Sequence, residues 1–370
     1  MKPVPKIAAS LFLAILFISL TVGCSPAPEK APPPKASAPA AEAQVIRWKG
    51  EYCFPSVVPY GPFNQELTGL NAMYRLWTNW LTKATGGRLV IEWTEPGAIF
   101  PITDADLAVG KGTVQIAASS GLYYRGRFPE GDIESGGLFF FRTESEAYEA
   151  FYYYGLWEAL NELYSKMNLV YFPIHGDSSI GIGTSFDAPT FASIKGKKIR
   201  AVGVQGDWMA ALGASPTIIP LGDTYQALKL GTVDGWVAGA ALLEANKWNE
   251  VTKGWVQNPI CSTVPSAIII NQKSFSALPA DIRDLIQKTN RYMSFATSTR
   301  WGNQNHYARL NAKKKGVKFW EWSEADQQKA IQLAVTKVWP KMRAASPDSA
   351  KLMDMVEAQA KAWGLPTAAK

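Results

Sequence analysis

Short apolar strands alternate with amphipathic helices along this chain, and that alternation leaves very few folds open. Residues 45–50 (VIRWKG) alternate in polarity and read as a strand. Met73, Leu76, Trp77, Trp80 and Leu81 then fall at i, i+3, i+4, i+7 and i+8, the stripe of an amphipathic helix that Gly86-Gly87 ends. Residues 88–93 (RLVIEW) and 113–118 (TVQIAA) read as further strands, with a short helix over 103–110 between them. Strands so far apart cannot pair as hairpins, so they run parallel in a sheet covered by helices. In such sheets ligands bind beyond the carboxyl ends of the strands. The three strand exits are therefore the candidate wall of a site: Glu51 and Tyr52, then 98–101 with Phe100, then 119–124 with Tyr123 and Tyr124.

The same grammar restarts further on. A helix over 144–166 and a strand over 168–174 close the first unit. Extended segments at 180–184, 198–202, 216–219 and 232–237 alternate with helices at 206–212 and 223–230, which makes a second α/β lobe. Residues 264–270 (VPSAIII) form a strand able to return to the first lobe, and a long helical stretch runs from Ala280 until Gly316 breaks it. The expected fold is α/β and two-lobed, a clamshell with a ligand cleft between lobes and a long helix linking them. The first lobe takes 45–172 plus about 260–300, the second 173–259 plus about 301–345, and a helical segment 346–370 finishes the chain. At 370 residues, 47% of them apolar, the chain can fill two cores. Its fourteen tryptophans suit a core, but also a cleft, where a flat apolar face with one N–H donor is useful.

The N-terminus carries an address. Lys2 and Lys6 precede an uncharged run over 7–22, shorter than the roughly 20 residues that span a bilayer. Leu20-Thr21-Val22-Gly23-Cys24 resembles a bacterial lipobox, with Thr21 where Leu is usual, which makes 1–24 a lipoprotein signal peptide and Cys24 the acylated residue. The other reading is an ordinary signal peptide with Cys24 lost; both export the protein. Residues 25–44 are Pro/Ala-rich and read as a tether between a lipid anchor and the folded body, at the periplasmic or extracytoplasmic face. In an oxidising compartment Cys53 and Cys261 invite one disulfide, two buried free thiols being the alternative. The formal charge of +7 falls to +5 without Lys2 and Lys6, and the one basic run, Lys313-Lys314-Lys315, reads as a solvated helix end. No nucleic-acid partner is implied.

Residues 191–236 (FASIKGKKIRAVGVQGDWMAALGASPTIIPLGDTYQALKLGTVDGW) hold five ordered elements: a lead-in, K-G-x-K-I-R, L-G-A-x-P, Y-x-A-L and G-x-V-D-G. This block resembles the periplasmic solute-binding subunits of tripartite ATP-independent (TRAP) transporters, the DctP-type family. Weaker agreement at TKATGGRLVIEW, GTVQIA, NQKSFSALPADIRDLI and GVKFWEWSEADQQKAIQLAVTKVWPKM extends it over most of 45–345. The resemblance implies a clamshell that binds a small organic acid and serves a small and a large membrane subunit, with no cofactor. It places the family's arginine contact at Arg200. A guanidinium gives a carboxylate two parallel donors, and an arginine in an apolar strand needs an anion, either a ligand or a protein carboxylate such as Asp234. No base stands at 178–181, where many members have a second arginine, and Trp236-Val237-Ala238-Gly239 lacks their acidic or amide contact. These departures point from di- and tricarboxylates, and from a bridging metal, toward a monocarboxylate with an apolar or aromatic body. Trp236 and Trp208 join the candidate cleft residues. His175 and His306 are the only histidines, and no catalytic or nucleotide-binding motif is present. A sensing or scavenging lipoprotein without a transporter, or an exterior hydrolase, are the other readings.

Overall fold

The computed structural model describes residues 44–54, 69–141, 143–174, 177–263 and 266–364. The signal peptide, Cys24, the tether up to residue 43, the loop 55–68, His175 and the end of the C-terminal segment lie outside the described residues, as do the side chains of Met73 and Cys261.

Among the described residues eleven strands occur in chain order: β1 (Ile46–Tyr52), β2 (Leu89–Thr94), β3 (Ile116–Ser119), β4 (Leu169–Ile174), β5 (Asp177–Thr184), β6 (Lys198–Arg200), β7 (Ser215–Thr217), β8 (Gly235–Gly239), β9 (Gly254–Thr263), β10 (Ser266–Asn271) and β11 (Lys318–Trp320). They build two sheets, one per lobe, ordered β2-β1-β3-β10-β4 and β11-β9-β5-β8-β6-β7. β1 is parallel to β2 and to β3, as helix-separated strands require. β10 enters the first sheet antiparallel between β3 and β4, so the strand Ser266–Asn271 returns to the first lobe. The chain thus crosses between sheets three times, from β4 to β5, from β9 to β10 and from β10 to β11. Strand β9 is missing from the sequence reading, because Gly254–Thr263 (GWVQNPICST) contains Pro259 and shows no alternation; its pairing with β5 is correspondingly irregular in register.

The helix Gly69–Ala84 forms where its period predicts, but on a rotated face. Leu76 and Trp80 are exposed, while Tyr74, Trp77, Thr78 and Leu81 point inward. Thr78 can face the core because its hydroxyl donates to Tyr74 O at 2.9 Å and accepts from Trp93 Nε1 at 3.1 Å. The helix expected over 144–166 is divided into Glu144–Tyr152 and Leu156–Ser165.

The helix Ala280–Lys314 has 35 residues, about 52 Å at 1.5 Å per residue. It touches both lobes. Its Thr289 accepts from Trp77 Nε1 at 3.1 Å, and its Asn290 Nδ2 donates to the Tyr152 hydroxyl at 3.1 Å, both in the first lobe. Its Asn305 accepts from Ala241 N–H at 2.7 Å in the second. The C-terminal helices also bond to both lobes: Trp208 Nε1 donates to Ala330 O at 3.0 Å, and Trp339 Nε1 to Leu138 O at 3.0 Å. Much of the tryptophan content is therefore core, buried with its N–H satisfied. Among the described residues no helix is long and apolar enough to cross a membrane.

Candidate functional site

A cavity lies between the two sheets, at the strand ends where the topology rule puts a site. It encloses about 100 Å³. At about 10–15 Å³ per water that is room for one small organic molecule. The first lobe contributes Phe54, Ser120, Leu122 and Tyr123; the second contributes Ile180, Arg200, Val202, Gln205, Leu221, residues 237–239 and Leu242; the long helix adds Trp301. The wall is mainly apolar, and its polar side chains are few.

Arg200 ends β6 at the heart of the second sheet and is 2% exposed. Its Nε donates to Ile219 O at 2.9 Å and its Nη1 to Val237 O at 3.3 Å, which fixes the guanidinium plane. Its Nη2 is buried without a hydrogen-bond partner. Among the described residues no carboxylate pairs with it. Asp234, the protein anion that could have neutralised it, accepts instead from Lys198 N–H at 2.8 Å. From the opposite lobe Ser120 Oγ is likewise buried on the cavity wall without a partner. Buried polar groups are nearly always satisfied, so two unsatisfied ones lining one cavity from opposite lobes mark a place for something else to bind.

The Ser120 loop is held from behind. Gly121 N–H donates to Glu134 Oε2 at 3.1 Å, and the Tyr164 hydroxyl donates to the same oxygen at 2.7 Å. Burial pushes the Glu134 carboxyl up to about 8, so at neutral pH it is held mostly protonated. A Cβ at Gly121 would come within 2.2 Å of that oxygen and 2.6 Å of Gly131 Cα, so only glycine lets the loop lie this close.

Of the residues singled out from sequence, Arg200 and Tyr123 line the cavity and the other six do not. Trp236 is a correction: it is fully buried, donates to Thr252 Oγ1 at 3.1 Å and packs against Trp248 and Trp255. Val237, next along β8, takes the opposite face and reaches the cavity, which residues 238 and 239 also line at the strand's end. Trp208 is also core, packed on Phe139 and bonded to Ala330. Tyr124 turns inward to the Tyr164 hydroxyl at 3.0 Å while its neighbour Tyr123 faces the cleft. Phe100 is buried in the core that includes Tyr124 and Phe128. Tyr52 stacks on Trp93 at 4.3 Å, and burial raises its phenol to about 12. Glu51 accepts from Gly97 N–H at 3.0 Å and Ile99 N–H at 2.7 Å, so it pins the β2 exit loop from the core; burial raises its carboxyl. Cys53 is a buried free thiol, raised by that burial, and the side chain of its candidate partner Cys261 lies outside the described residues. Sequence reasoning missed Trp301, whose place in a long polar helix gave no signal, and Gln205, which precedes the helix assigned to 206–212 but falls inside the observed one, Val204–Ala211.

The described residues contain no group of three or more His, Cys, Asp or Glu able to hold a metal ion. The cavity's polar side chains are Arg200, Gln205, Ser120 and the phenol of Tyr123. A cation bound by oxygens prefers carboxylates, and the described lining of this cavity holds none.

Comparison with known proteins follows the same line. The family described as bacterial extracellular solute-binding protein, family 7 (DctP), matches residues 64–345. A monocarboxylate 2-oxoacid-binding periplasmic protein of Nostoc sp. is 23% identical over 263 residues, 69% of this chain and 70% of its own length. A TRAP transporter solute-binding protein from Bordetella bronchiseptica, solved with calcium and picolinate, superposes with TM-score 0.78 at 20% identity, covering 87% of this chain and 93% of its own. Another from Pseudoalteromonas atlantica, solved with sodium and pyruvate, gives TM-score 0.73 at 22% identity, over 86% and 96%. These likenesses establish the two-lobed fold.

Proposed function

We propose, from the premise that this chain belongs to bacterial extracellular solute-binding protein family 7 (DctP), that it captures a small monocarboxylate with an apolar or aromatic body. We infer further that it hands this acid to the two membrane subunits of a TRAP-type transporter. One observation carries the reading: a buried arginine, immobilised by two main-chain carbonyls, has its remaining nitrogen unsatisfied on the wall of an apolar cavity. A carboxylate there would supply the missing anion and accept charge-assisted bonds. The apolar wall from Phe54, Leu122, Ile180, Val202, Leu242 and Trp301 suits a non-polar body and offers a second carboxylate nothing. Monocarboxylate binding in the Nostoc relative and bound pyruvate or picolinate in the solved ones agree with this size and charge.

Export, and a lipid on Cys24 that keeps the protein at the membrane surface beside its transporter, complete the proposal. Native mass spectrometry of the protein purified with its endogenous ligand identifies the acid. Calorimetric titration with pyruvate, picolinate, benzoate, malonate and succinate then ranks the classes. Monocarboxylates binding well ahead of malonate and succinate is the expected order; the reverse order overturns the monocarboxylate reading. Mass labelling with palmitate at Cys24, absent in Cys24→Ser, tests the anchor.

A further inference from the structure

A second arginine stands at the same cleft. Arg125 follows the Ser120–Tyr124 loop of the first lobe, and its Nη2 reaches two carboxylates at once: Asp132 Oδ2 at 2.7 Å and Asp207 Oδ2 at 2.8 Å. Asp132 belongs to the short helix Gly131–Glu134, in the chain segment that follows the first lobe's β3. Asp207 lies on the helix Val204–Ala211, between β6 and β7 of the second sheet. Asp132 also crosses the cleft by itself, its Oδ1 accepting from Val204 N–H at 3.1 Å. The chains meet tightly here. A Cβ at Gly203 would stand 2.4 Å from Leu122 Cδ2 and 2.9 Å from Asp132 Oδ1, and Gly203 holds φ +53, a value that favours glycine. The segments so joined are those that line the cavity: Ser120, Leu122 and Tyr123 on one side, Val202 and Gln205 on the other.

We propose that Arg125, Asp132 and Asp207 form an ionic clamp across the cleft that positions the two cavity walls and governs how readily the lobes close. These are positioning residues; none lines the cavity. The clamp rests on reading the cavity as the binding cleft, but closure can be measured without any ligand.

Electrostatics gives the clamp a signature. Asp132 is buried in the closed form, and burial pushes its carboxyl up to about 6, with Asp207 raising it further and Arg125 and the Val204 N–H opposing. Among the described residues no other charged group turns toward it. On its own segment Glu130 bonds Ser346 and Ser349, and Glu134 bonds Gly121 N–H and Tyr164. On the packed C-terminal helix Asp348 is held by Lys166 and Lys351. In an open cleft Asp132 returns to water and to its ordinary value of 3.8. The closed form therefore holds a proton more tightly. Its advantage is fully present below the open-state value and is lost as pH rises through about 6. Above that pH Arg125 is what offsets the burial of two facing carboxylates.

Small-angle scattering on the ligand-free full chain, at pH 8 and pH 5, tests the clamp. The native protein shifts its closed-to-open ratio about tenfold toward closed at pH 5. Arg125→Gln opens at pH 8, seen as a larger radius of gyration, and recloses at pH 5. Asp132→Asn loses the pH response, and the neutral triple variant Arg125→Gln/Asp132→Asn/Asp207→Asn recloses at pH 8. Thermal unfolding confirms that each is folded, and Asp207→Asn with native Arg125 serves if Arg125→Gln is not. A radius of gyration that is the same in the native chain and Arg125→Gln at both pH values overturns the clamp. So does a triple variant as open as the single one. Neither outcome bears on whether Arg200 binds a carboxylate.

Discussion

Arg200 and Arg125 stand at one cleft in opposite company. Arg125 is partly exposed and shares one nitrogen between two carboxylates, one on each side of the cleft. Arg200 is buried, and its partners are two carbonyl oxygens. A folded chain can neutralise an arginine from its own resources, as it does at Arg125. At Arg200 it leaves that undone and still fixes the geometry. Carbonyl dipoles orient the guanidinium without cancelling its charge, so a binding anion meets a preorganised donor. Polar groups left unmade in a core cost about 1–3 kcal/mol each, and a ligand returns that when it binds. On the proposed reading, the difference separates a receptor site from a structural one more clearly than burial or residue type does.

The comparison can be broken at several points. Trp236 pairs with Arg200 in the β6–β8 register and is core, so Trp236→Ala should cost about 3–5 kcal/mol of stability. Chemical denaturation measures this; affinity of the folded fraction should stay within about threefold of native, since an aromatic contact worth more would put Trp236 in the cleft. Gln205→Glu puts a carboxylate on the same wall as Arg200 and gives it Arg125's surroundings. A like charge beside a bound anion costs several kcal/mol, so calorimetry should read a loss of about a hundredfold or more in ligand affinity. Trp301→Ala removes an apolar wall without touching charge and should weaken binding by about tenfold. Glu134→Gln sharpens the role of the loop behind Ser120. Because the native carboxyl titrates near 8 against 4.5 when unfolded, its stabilising contribution is present below 4.5 and lost as pH rises through 8. The variant should flatten that part of the pH–stability curve, read by thermal unfolding between pH 5 and pH 9.

The architecture was legible because it rests on periodicity. Helix-separated strands gave the parallel β1, β2 and β3, and the break after Lys314 at Gly316 bounded the long helix. Strand β9 was not legible, since its pairing is set by β5 and not by its own pattern. Arg200 was legible from its motif and its apolar neighbours. The aromatic candidates were less so, because sequence shows that an aromatic stands near a strand end but not which face it takes. Tyr123 and Tyr124 illustrate this: adjacent, chemically identical, and turned to cleft and core respectively. Glu51 reads like a ligand contact and is instead a loop anchor, bonded to Gly97 and Ile99 main-chain N–H groups that the sequence gives no way to foresee. The Arg125 clamp joins residues 82 positions apart across two lobes, a juxtaposition only the fold creates.

The central claim is that Arg200 is left unpaired for a ligand carboxylate. Titration of Arg200→Met with the acid recovered from the native protein tests it directly. The substitution keeps length and apolar bulk while removing the donors. The account predicts a folded protein with affinity reduced by at least about a hundredfold, the scale of losing a buried charge-assisted pair. A folded variant that binds the acid as tightly as the native chain would contradict it.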